Sequence, residues 1–408
     1  MRPGISVLVL LITFQIAIQA FGLEELEPLC PSSSRRLWFH SAAQPAFKKE
    51  TGWGVYAAAE IATGTVVAKI PLDKCLYRAT FQCKNEISCK IIEDIRSRLS
   101  QRSSDADEIA LAAYLALHQD DAYSKAVSKV ASLVRVSFPD DVIDRVVQPL
   151  LPDLARRLRT MKVLHEEAMK YLAPMNISLE EFENAVFAVT SRSFYLKTTP
   201  TSRDVIMVPC GDLFNHEDGP QPVGYMVEGS DLVFRTRRDY ERGEELKISY
   251  GFKSAESLFF QYGFFIPGSS INYVHISLSN STYWGENHDE LTKKFLLDKL
   301  GDKGTIKVAA TGVMGLGLAL LRSLALSRDE MSAYTLANIL GLGHVAPSEE
   351  SEARAAAILS MSVYDEILKY REVFEANEGL LKQHKMLHEL LLVQLRLLAG
   401  MWRQFNKD

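Results

Sequence analysis

Cysteine is scarce in this sequence, with only five in 408 residues. They are Cys30, Cys75, Cys83, Cys89 and Cys210. So few cysteines, in an odd number, argue against the dense disulfide framework that holds small secreted domains together. The sequence therefore predicts unpaired thiols in a reducing compartment. The alternative, a zinc ion bound by Cys83, Cys89 and His216, lacks the closely paired ligands of known zinc sites, and no metal is expected.

The chain also lacks a long basic block. Its 46 Lys and Arg residues stand against 51 Asp and Glu residues, which gives a formal net charge of -5. Because phosphate binding needs a concentrated positive face, nucleic acid is not expected as a partner. Hydrophobic residues make up 47% and charged residues 24% of the chain, as in soluble globular proteins. The length is sufficient for two or three domains with cores of their own.

Long apolar runs are missing except near the start of the sequence. Met1–Gly22 contains one Arg, then an apolar run interrupted by only three polar residues, then the small residue Ala20. This is the pattern of a secretory signal peptide or targeting segment. The run is slightly shorter than the roughly 20 apolar residues of a membrane-spanning helix. An uncleaved anchor is the alternative, and no stable membrane insertion is expected after cleavage.

Two further features bear on the compartment. The Ala20–Phe21 junction resembles the cleavage site of the signals that direct proteins through the ER into the complex plastids of algae, although the following LEELEP is more acidic than such segments usually are. A plastid would combine an N-terminal signal with a reducing space; the ER lumen, secretion and membrane anchorage are the alternatives. The triplets Asn176-Ile177-Ser178 and Asn280-Ser281-Thr282 match N-glycosylation acceptors, which matter only in the secretory lumen.

The first half of the chain changes from a strand pattern to a helix pattern. Short β-branched runs over residues 38–76 predict strands, with a hairpin turn at Thr63–Gly64. Apolar residues at helical spacing over residues 91–187 predict helices. Ser178 and Glu181 form a capping box that starts one of these helices.

The second half changes back to strands and then to helices. Strands are predicted over residues 205–250, and helices beyond about Tyr283. Residues 312–326 are expected to form a core helix, and residues 378–405 a long amphipathic helix. The result is an α+β protein in which a β unit is split by a helical insertion. Residues near positions 54, 215 and 250 can then converge on one site.

A polar stretch, CGDLFNHEDG from Cys210 to Gly219, follows a predicted strand. It gathers a carboxylate, an amide and an imidazole around two apolar residues. An ordinary loop, a metal site and the edge of a cofactor pocket all fit this composition.

Four local strings in this order give the chain a resemblance to a known family: GWGV (52–55), SRSF (191–194), DLFNH (212–216) and GEELKISYGFKSAESLFFQYGFF (243–265). Together they resemble SET-domain protein methyltransferases, in the branch of the Rubisco large-subunit lysine methyltransferase and the actin histidine methyltransferase. The resemblance implies a SET domain over residues 36–270 with a helical insertion at about 90–188. It also implies an all-α substrate-binding domain over residues 283–408.

The resemblance assigns the residues that bind the cofactor S-adenosylmethionine (AdoMet). Gly52, Trp53 and Gly54 would meet its methionine part, because glycine lets backbone groups approach a ligand closely. Relatives often have an acid just before the first glycine, where this chain has Thr51. Taken alone, GWGV is equally well a plain hairpin turn.

Four more polar residues are assigned to the cofactor by the same resemblance. Asn215 would use its side-chain amide on the AdoMet tail, and His216 would offer its backbone to the adenine edge. Asp212 would contact the cofactor or orient the loop, and Arg192 would meet the cofactor carboxylate with its fork of donors. Without the family resemblance, the alternative interpretations are a structural histidine at position 216 and a solvated surface charge at Arg192.

Three aromatic residues complete the expected site. Tyr250 is the expected catalytic residue, holding the acceptor in line with the methyl group. Tyr262 would line the acceptor channel and Phe264 would cover the adenine. Packing of a strand end is the alternative role for Tyr250. The sequence places no Asp, Glu or His clearly as a general base, although a lysine acceptor with an unperturbed pKa of about 10.4 must lose a proton.

The implied function is AdoMet-dependent methylation of a lysine side chain on a non-histone protein. A histidine acceptor and a non-catalytic SET scaffold that only binds protein are the alternatives. If the chain reaches a plastid, the Rubisco large subunit or a plastid aldolase are the candidate substrates. The protein is expected to be a monomer.

Overall fold

The computed structural model describes residues 29–48, 52–101, 103–198, 203–219, 222–278, 305–327, 329–330, 341–344 and 348–405. The predicted targeting segment Met1–Gly22, Thr51 and the acceptor triplet at Asn280 lie outside these residues. In the described part of the chain, no helix is both long and apolar enough to cross a membrane.

The described residues have the predicted mixture of helices and strands. The strands are β1 Ala43–Lys48, β2 Gly52–Ala57, β3 Val66–Pro71, β4 Ser193–Lys197, β5 Arg203–Met207, β6 Gly224–Glu228, β7 Asp231–Arg235, β8 Glu245–Leu246, β9 Tyr273–Ser277, β10 Thr305–Ala309 and β11 Gly312–Val313. The longer helices are α1 Ser32–Trp38, α2 Glu86–Ser100, α3 Ala106–Leu117, α4 Ala122–Val134, α5 Pro152–Leu172, α6 Leu179–Arg192, α7 Ala255–Tyr262, α8 Gly317–Ala325, α9 Glu349–Ala376, α10 Glu378–Gln383 and α11 Lys385–Phe405.

The chain forms two compact units. The first contains the described residues of 1–137, 157–252 and 258–264, and the second those of 138–156, 253–257 and 265–408. All ten residues that the sequence assigns to the site belong to the first unit.

Small antiparallel sheets form the β part of the first unit. They have the strand orders β1-β2-β8, β3-β7-β6 and β4-β5. Strand β2 lies in the middle of its sheet and pairs Val55 with Leu246. Residues from both sides of the helical insertion are therefore neighbours, and the predicted convergence is confirmed.

The predicted hairpin at Thr63–Gly64 is wrong. Gly64 does have a positive φ of 83°, as in many tight turns. However, β2 already has β1 and β8 as neighbours, and β3 pairs with β7. Since both edges of β2 are taken, the chain crosses to a different sheet at this turn.

The helices between β3 and β4 form a core of their own. Ile109, Leu115, Val127 and Phe182 are all buried in it. Each such side chain contributes roughly 1.5–3 kcal/mol when removed from water. The predicted capping box is present at the start of α6, where Ser178 Oγ accepts from the Glu181 N–H. The insertion is thus a packed element and not a flexible loop.

The second unit is mostly helical, as predicted, but also contains a sheet with the order β11-β10-β9. Strands β10 and β11 lie in the region predicted to be entirely helical. Thr305, Ile306 and Val308 are β-branched, which favours strands, and β9 supplies the pairing partner. The helix expected from residue 312 therefore begins only at Gly317, and the long C-terminal helix is interrupted at His384.

A buried polar cluster lies in the second unit. Asp153, Glu256 and His275 place potential metal-ligand atoms within 4.8 Å of one another, and Lys307 Nζ lies 2.7 Å from Asp153 Oδ2. Burial alone would raise the pKa of Asp153, but the hydrogen bond from Lys307 and the nearby His275 bring it down to about 2. The ion pair with Lys307 compensates for the burial of this carboxylate.

Four of the five cysteines are paired, which corrects the prediction of unpaired thiols. The Cys30 and Cys210 sulfurs are 2.02 Å apart, and those of Cys83 and Cys89 are 2.08 Å apart. Cys75 is the remaining cysteine, and it is buried. The Cys83–Cys89 bond also removes two ligands of the zinc site considered above.

The two disulfides are expected to stabilise the fold unequally. They span 180 and 6 residues, and in the loop-entropy treatment they contribute roughly 5 and roughly 2 kcal/mol. Replacing Cys30 and Cys210 together by Ser should therefore lower the urea midpoint more than replacing Cys83 and Cys89. Equal losses for the two double variants would contradict this ranking.

Candidate active site

The glycine-containing strand β2 is one wall of the candidate site. Gly52 has a φ of 75°, a conformation that glycine adopts without strain. At Gly54 the reason for glycine is space. A Cβ atom there would lie 2.6 Å from Glu245 Oε1 and 3.1 Å from Asn215 Nδ2. The backbone at Gly54 is therefore approached by two polar side chains from elsewhere in the chain.

The stretch after β5 supplies the facing wall. Cys210, with a φ of 68° and its sulfur bonded to Cys30, starts a single helical turn over Gly211–Leu213. The chain then extends, and Asn215 Nδ2 donates to the Trp53 carbonyl at 2.9 Å and to Glu245 Oε1 at 2.6 Å. The Asn215 amide therefore lies at the glycine loop, and its contact with the AdoMet tail stays a prediction.

The His216 ring is held by its neighbours. Its Nδ1 accepts the Tyr250 N–H at 3.1 Å, and its Nε2 lies 2.9 Å from Asp218 Oδ1. The ring also stacks on Tyr250 with centroids 5.0 Å apart. The imidazole thus positions Tyr250 through the hydrogen bond to Nδ1 and through the stacked rings.

Asp212 and Arg192 form a buried ion pair. Arg192 Nη1 lies 3.3 Å from Asp212 Oδ2, and the Asp212 side chain is fully buried. Tyr123 donates to the same oxygen at 3.2 Å. Burial raises the pKa of Asp212, and the Arg192 guanidinium opposes that rise. The other carboxylate oxygen, Oδ1, is buried and has no hydrogen-bond partner among the described residues.

The three expected aromatic residues lie together. Tyr250 and Tyr262 stack with ring centroids 4.6 Å apart, and Phe264 lies 6.1 Å from Tyr262. The Tyr250 hydroxyl donates to the Phe214 carbonyl at 2.9 Å. Burial raises the pKa of both tyrosines, so both phenols are neutral at physiological pH. Tyr262 is the last residue of helix α7.

Three further residues lie at the candidate site although the sequence patterns did not predict them. Glu245 bonds to Asn215 and is only 10% exposed. Tyr225 is close enough to affect the pKa of both Tyr250 and Tyr262. Tyr123 comes from α4 of the insertion. Glu245 stands in the recognised GEELKISYG string and could have been found there, whereas Tyr123 and Tyr225 stand in no motif.

The contact at Gly54 predicts a measurable coupling. Gly54→Ala should destabilise the protein by roughly 1–3 kcal/mol, because the new methyl group displaces the Glu245 carboxylate from Asn215. The loss should shrink in a Glu245→Ala background, where that clash is gone. Gly268→Ala is the control, since nothing lies within 4 Å of a Cβ there. Equal losses at Gly54 in both backgrounds, measured by urea unfolding, would contradict the contact.

This chain is similar in sequence to a known family and to several curated proteins. The profile of the family described as "SET domain" matches residues 52–251. Among curated proteins, the actin-histidine N-methyltransferase of Danio rerio is 24% identical over 251 residues, covering 58% of this chain and 42% of that protein. The actin-histidine N-methyltransferase of Homo sapiens is 23% identical over 248 residues, covering 57% and 41%. The chain thus spans less than half the length of these relatives.

Solved structures extend the likeness to nearly the whole chain. The SET domain of LSMT, solved with lysine and AdoHcy, superimposes with a TM-score of 0.59 at 15% identity, covering 96% of this chain and 91% of that one. Rubisco LSMT bound to AdoMet gives a TM-score of 0.56 at 16% identity, covering 96% and 92%. At these low sequence identities, the structural similarity shows that the folds are alike. Residues 52–251 therefore form a SET domain, and the fold of this chain is similar to that of Rubisco LSMT.

Proposed function

We propose that this protein is an AdoMet-dependent methyltransferase that transfers a methyl group to a lysine side chain of a non-histone protein. The observation that carries the proposal is the stacked pair Tyr250 and Tyr262, with the Tyr250 hydroxyl fixed on the Phe214 carbonyl. Aromatic walls with a fixed polar group suit a long aliphatic side chain that ends in an amine. The names of the solved relatives, which include a complex with lysine, support this choice.

The residues present fit AdoMet. The absence of a Cβ at Gly54 lets the Glu245 carboxylate and the Asn215 amide approach the backbone of the glycine loop. The Trp53 Nε1 is buried without a hydrogen-bond partner among the described residues, and so is Asp212 Oδ1. Buried polar atoms without a partner are costly, which favours a polar ligand near them. Glu245 gives the glycine loop a neighbouring carboxylate even though position 51 is Thr.

Bound AdoMet would supply a methyl group on a positively charged sulfur. The work left to the protein is to align the acceptor amine with that methyl and to exclude water. Gly52, Trp53, Gly54 and Asn215 would hold the methionine part. Phe264 and the backbone of His216 would hold the adenine. Arg192 has five N–H donors, so it can bind a carboxylate while one nitrogen stays on Asp212.

Tyr250 acts through its oxygen and not as a base. Its proton is directed at the Phe214 carbonyl, so its remaining lone pairs accept from the groups around the reacting nitrogen. The raised pKa of Tyr250 keeps the hydroxyl protonated. The Nδ1 of His216 already accepts the Tyr250 N–H, so this nitrogen is not a base for the acceptor. The amine therefore loses its proton to water before it enters the aromatic channel, where desolvation favours the neutral form.

A histidine acceptor is the second candidate, because the curated relatives are actin-histidine N-methyltransferases. The two candidates are separated by incubating the protein with methyl-labelled AdoMet and an extract of the source organism. Purified actin, Rubisco and plastid aldolase are tested as separate acceptors. Mass spectrometry that places the methyl on lysine supports the proposal, and a methyl on histidine overturns its choice of acceptor. AdoMet binding by calorimetry without labelling of any acceptor would favour the non-catalytic scaffold.

Replacing Tyr250 by Phe should slow methyl transfer by roughly 10²- to 10³-fold, because a fixed polar group at the reacting atoms is lost. AdoMet affinity, measured by calorimetry, should stay close to that of the unchanged protein. Tyr195→Phe is the matched control, since Tyr195 is 59% exposed and lies outside the site. Equal rates for the Tyr250 and Tyr195 variants would contradict the role of Tyr250.

The pH dependence of kcat/KM should show whether the acceptor is a lysine or a histidine. For a lysine acceptor, kcat/KM should rise about tenfold per pH unit from pH 7 towards the pKa of the amine, which is about 10.4 when unperturbed. Because burial raises the pKa of Tyr250 and Tyr262, neither phenol should ionise and cause a fall in this range. For a histidine acceptor with a pKa of about 6.5, the rate should be flat above about pH 7.5. A fall in rate between pH 8 and 9.5 would show that a site group ionises after all.

A further inference from the structure

The two disulfides are the first observation that indicates the compartment in which this chain folds. Four of the five cysteines are bonded in two pairs. Cys30 and Cys210 are each fully buried. Burial raises the pKa of the remaining thiol, Cys75, to about 12, with smaller contributions from Asp73 and Asp212. Disulfides form and persist in oxidising compartments, whereas cytosolic and comparable reducing spaces keep thiols reduced.

The Cys30–Cys210 bond is tied to the candidate site. Cys210 directly precedes the turn Gly211–Leu213, and its N–H donates to the Leu29 carbonyl at 3.2 Å. The chain at Leu29 and Cys30 is thereby fixed to the loop that carries Asp212 and Asn215. Formation of each disulfide removes two protons and two electrons from a pair of thiols. A disulfide-carrying oxidant of the secretory pathway accepts them and is reduced to a dithiol.

The second observation is the accessibility of Asn176. It belongs to the acceptor triplet Asn176-Ile177-Ser178 and is exposed, at a turn between the short helix Ala173–Met175 and α6. Its φ of 61° is a left-handed conformation that Asn tolerates. Its backbone N–H donates to the Ala173 carbonyl at 3.0 Å, and its side chain makes no hydrogen bond among the described residues. A large group on this amide would therefore extend into solvent.

Glycosylation of Asn176 is compatible with the structural role of Ser178, the third residue of the triplet. Ser178 is exposed, and its hydroxyl takes part in the capping box of α6 with Glu181. A glycan is attached to the Asn amide, so this cap is kept in the modified protein. Asn176 is not a residue of the candidate site, and modification there is compatible with the proposed reaction.

From these observations we propose that Asn176 is an N-glycosylation site and that the protein matures in the oxidising lumen of the secretory pathway. In the transfer, the Asn176 amide nitrogen bonds to the first sugar carbon of a lipid-linked oligosaccharide. The bond from that carbon to the pyrophosphate oxygen breaks, the lipid pyrophosphate leaves, and the amide loses one proton. The secretory signal expected from Met1–Gly22 fits this route. The reducing plastid interior, expected from the Ala20–Phe21 junction and unpaired thiols, is the rival destination.

The test uses the full chain made in a eukaryotic cell with an active secretory pathway, with an Asn280→Gln change so that only Asn176 is measured. Treatment with a peptide N-glycosidase should increase the gel mobility, and mass spectrometry should find Asn176 converted to Asp. Asn176→Gln should abolish the shift. Ser178→Thr should retain it, since Thr keeps both the acceptor triplet and the helix cap.

A second measurement examines the cysteines of the same material. Alkylation under denaturing conditions without reductant should label Cys75 alone, and all five cysteines should be labelled after reduction. An unmodified Asn176, or five thiols that react without reductant, would overturn the proposal. Both readouts are independent of methyltransferase activity, so failure here is distinct from failure of the proposed function. A tagged full chain in the source organism should likewise be sensitive to the glycosidase; a glycan-free chain inside the plastid would favour the rival destination.

Discussion

The side-chain amide of Asn215 makes the contact on which the candidate site depends. It donates to the carbonyl of Trp53 and to the carboxylate of Glu245, so one group joins three segments that are far apart in sequence. A buried donor without a partner costs roughly 1–3 kcal/mol. The three segments therefore hold one another in place, and glycine at position 54 follows from the close approach of both side chains.

The helical insertion is part of the site as well as part of the fold. Its packed core fixes α4, and Tyr123 on that helix donates to the same oxygen of Asp212 that faces Arg192. A residue on a packed helix is held more accurately than one on a loop. The disulfide between Cys30 and Cys210 holds the same loop from the other end. The position of Asp212 is thus set by the insertion, by the end of α6 and by the N-terminal segment together.

The electrostatics of the site suit alignment better than acid–base chemistry. The tyrosines are neutral because burial raises their pKa values, and Nδ1 of His216 accepts the Tyr250 N–H. Of the charged groups that affect Tyr250, Arg192 and Asp212 form an ion pair with each other. A site of this kind can hold a neutral amine against an electrophilic methyl group without a competing nucleophile. The proposed methyl transfer needs no more than this from the protein.

The sequence alone was sufficient to predict the class of fold and the helices with clear apolar spacing and caps, and to nominate candidate site residues in short recognisable strings. These features are local: Ser178 and Glu181 are three residues apart, and Asn215 stands inside DLFNH. Tertiary structure decided which strands pair, so that β3 lies beside β7 and the turn at Gly64 is not a hairpin. It also paired Cys30 with Cys210 across 180 residues and brought Tyr123 and Tyr225 to the site. These features depend on contacts between residues distant in the chain, and no local pattern of residue types encodes such a contact.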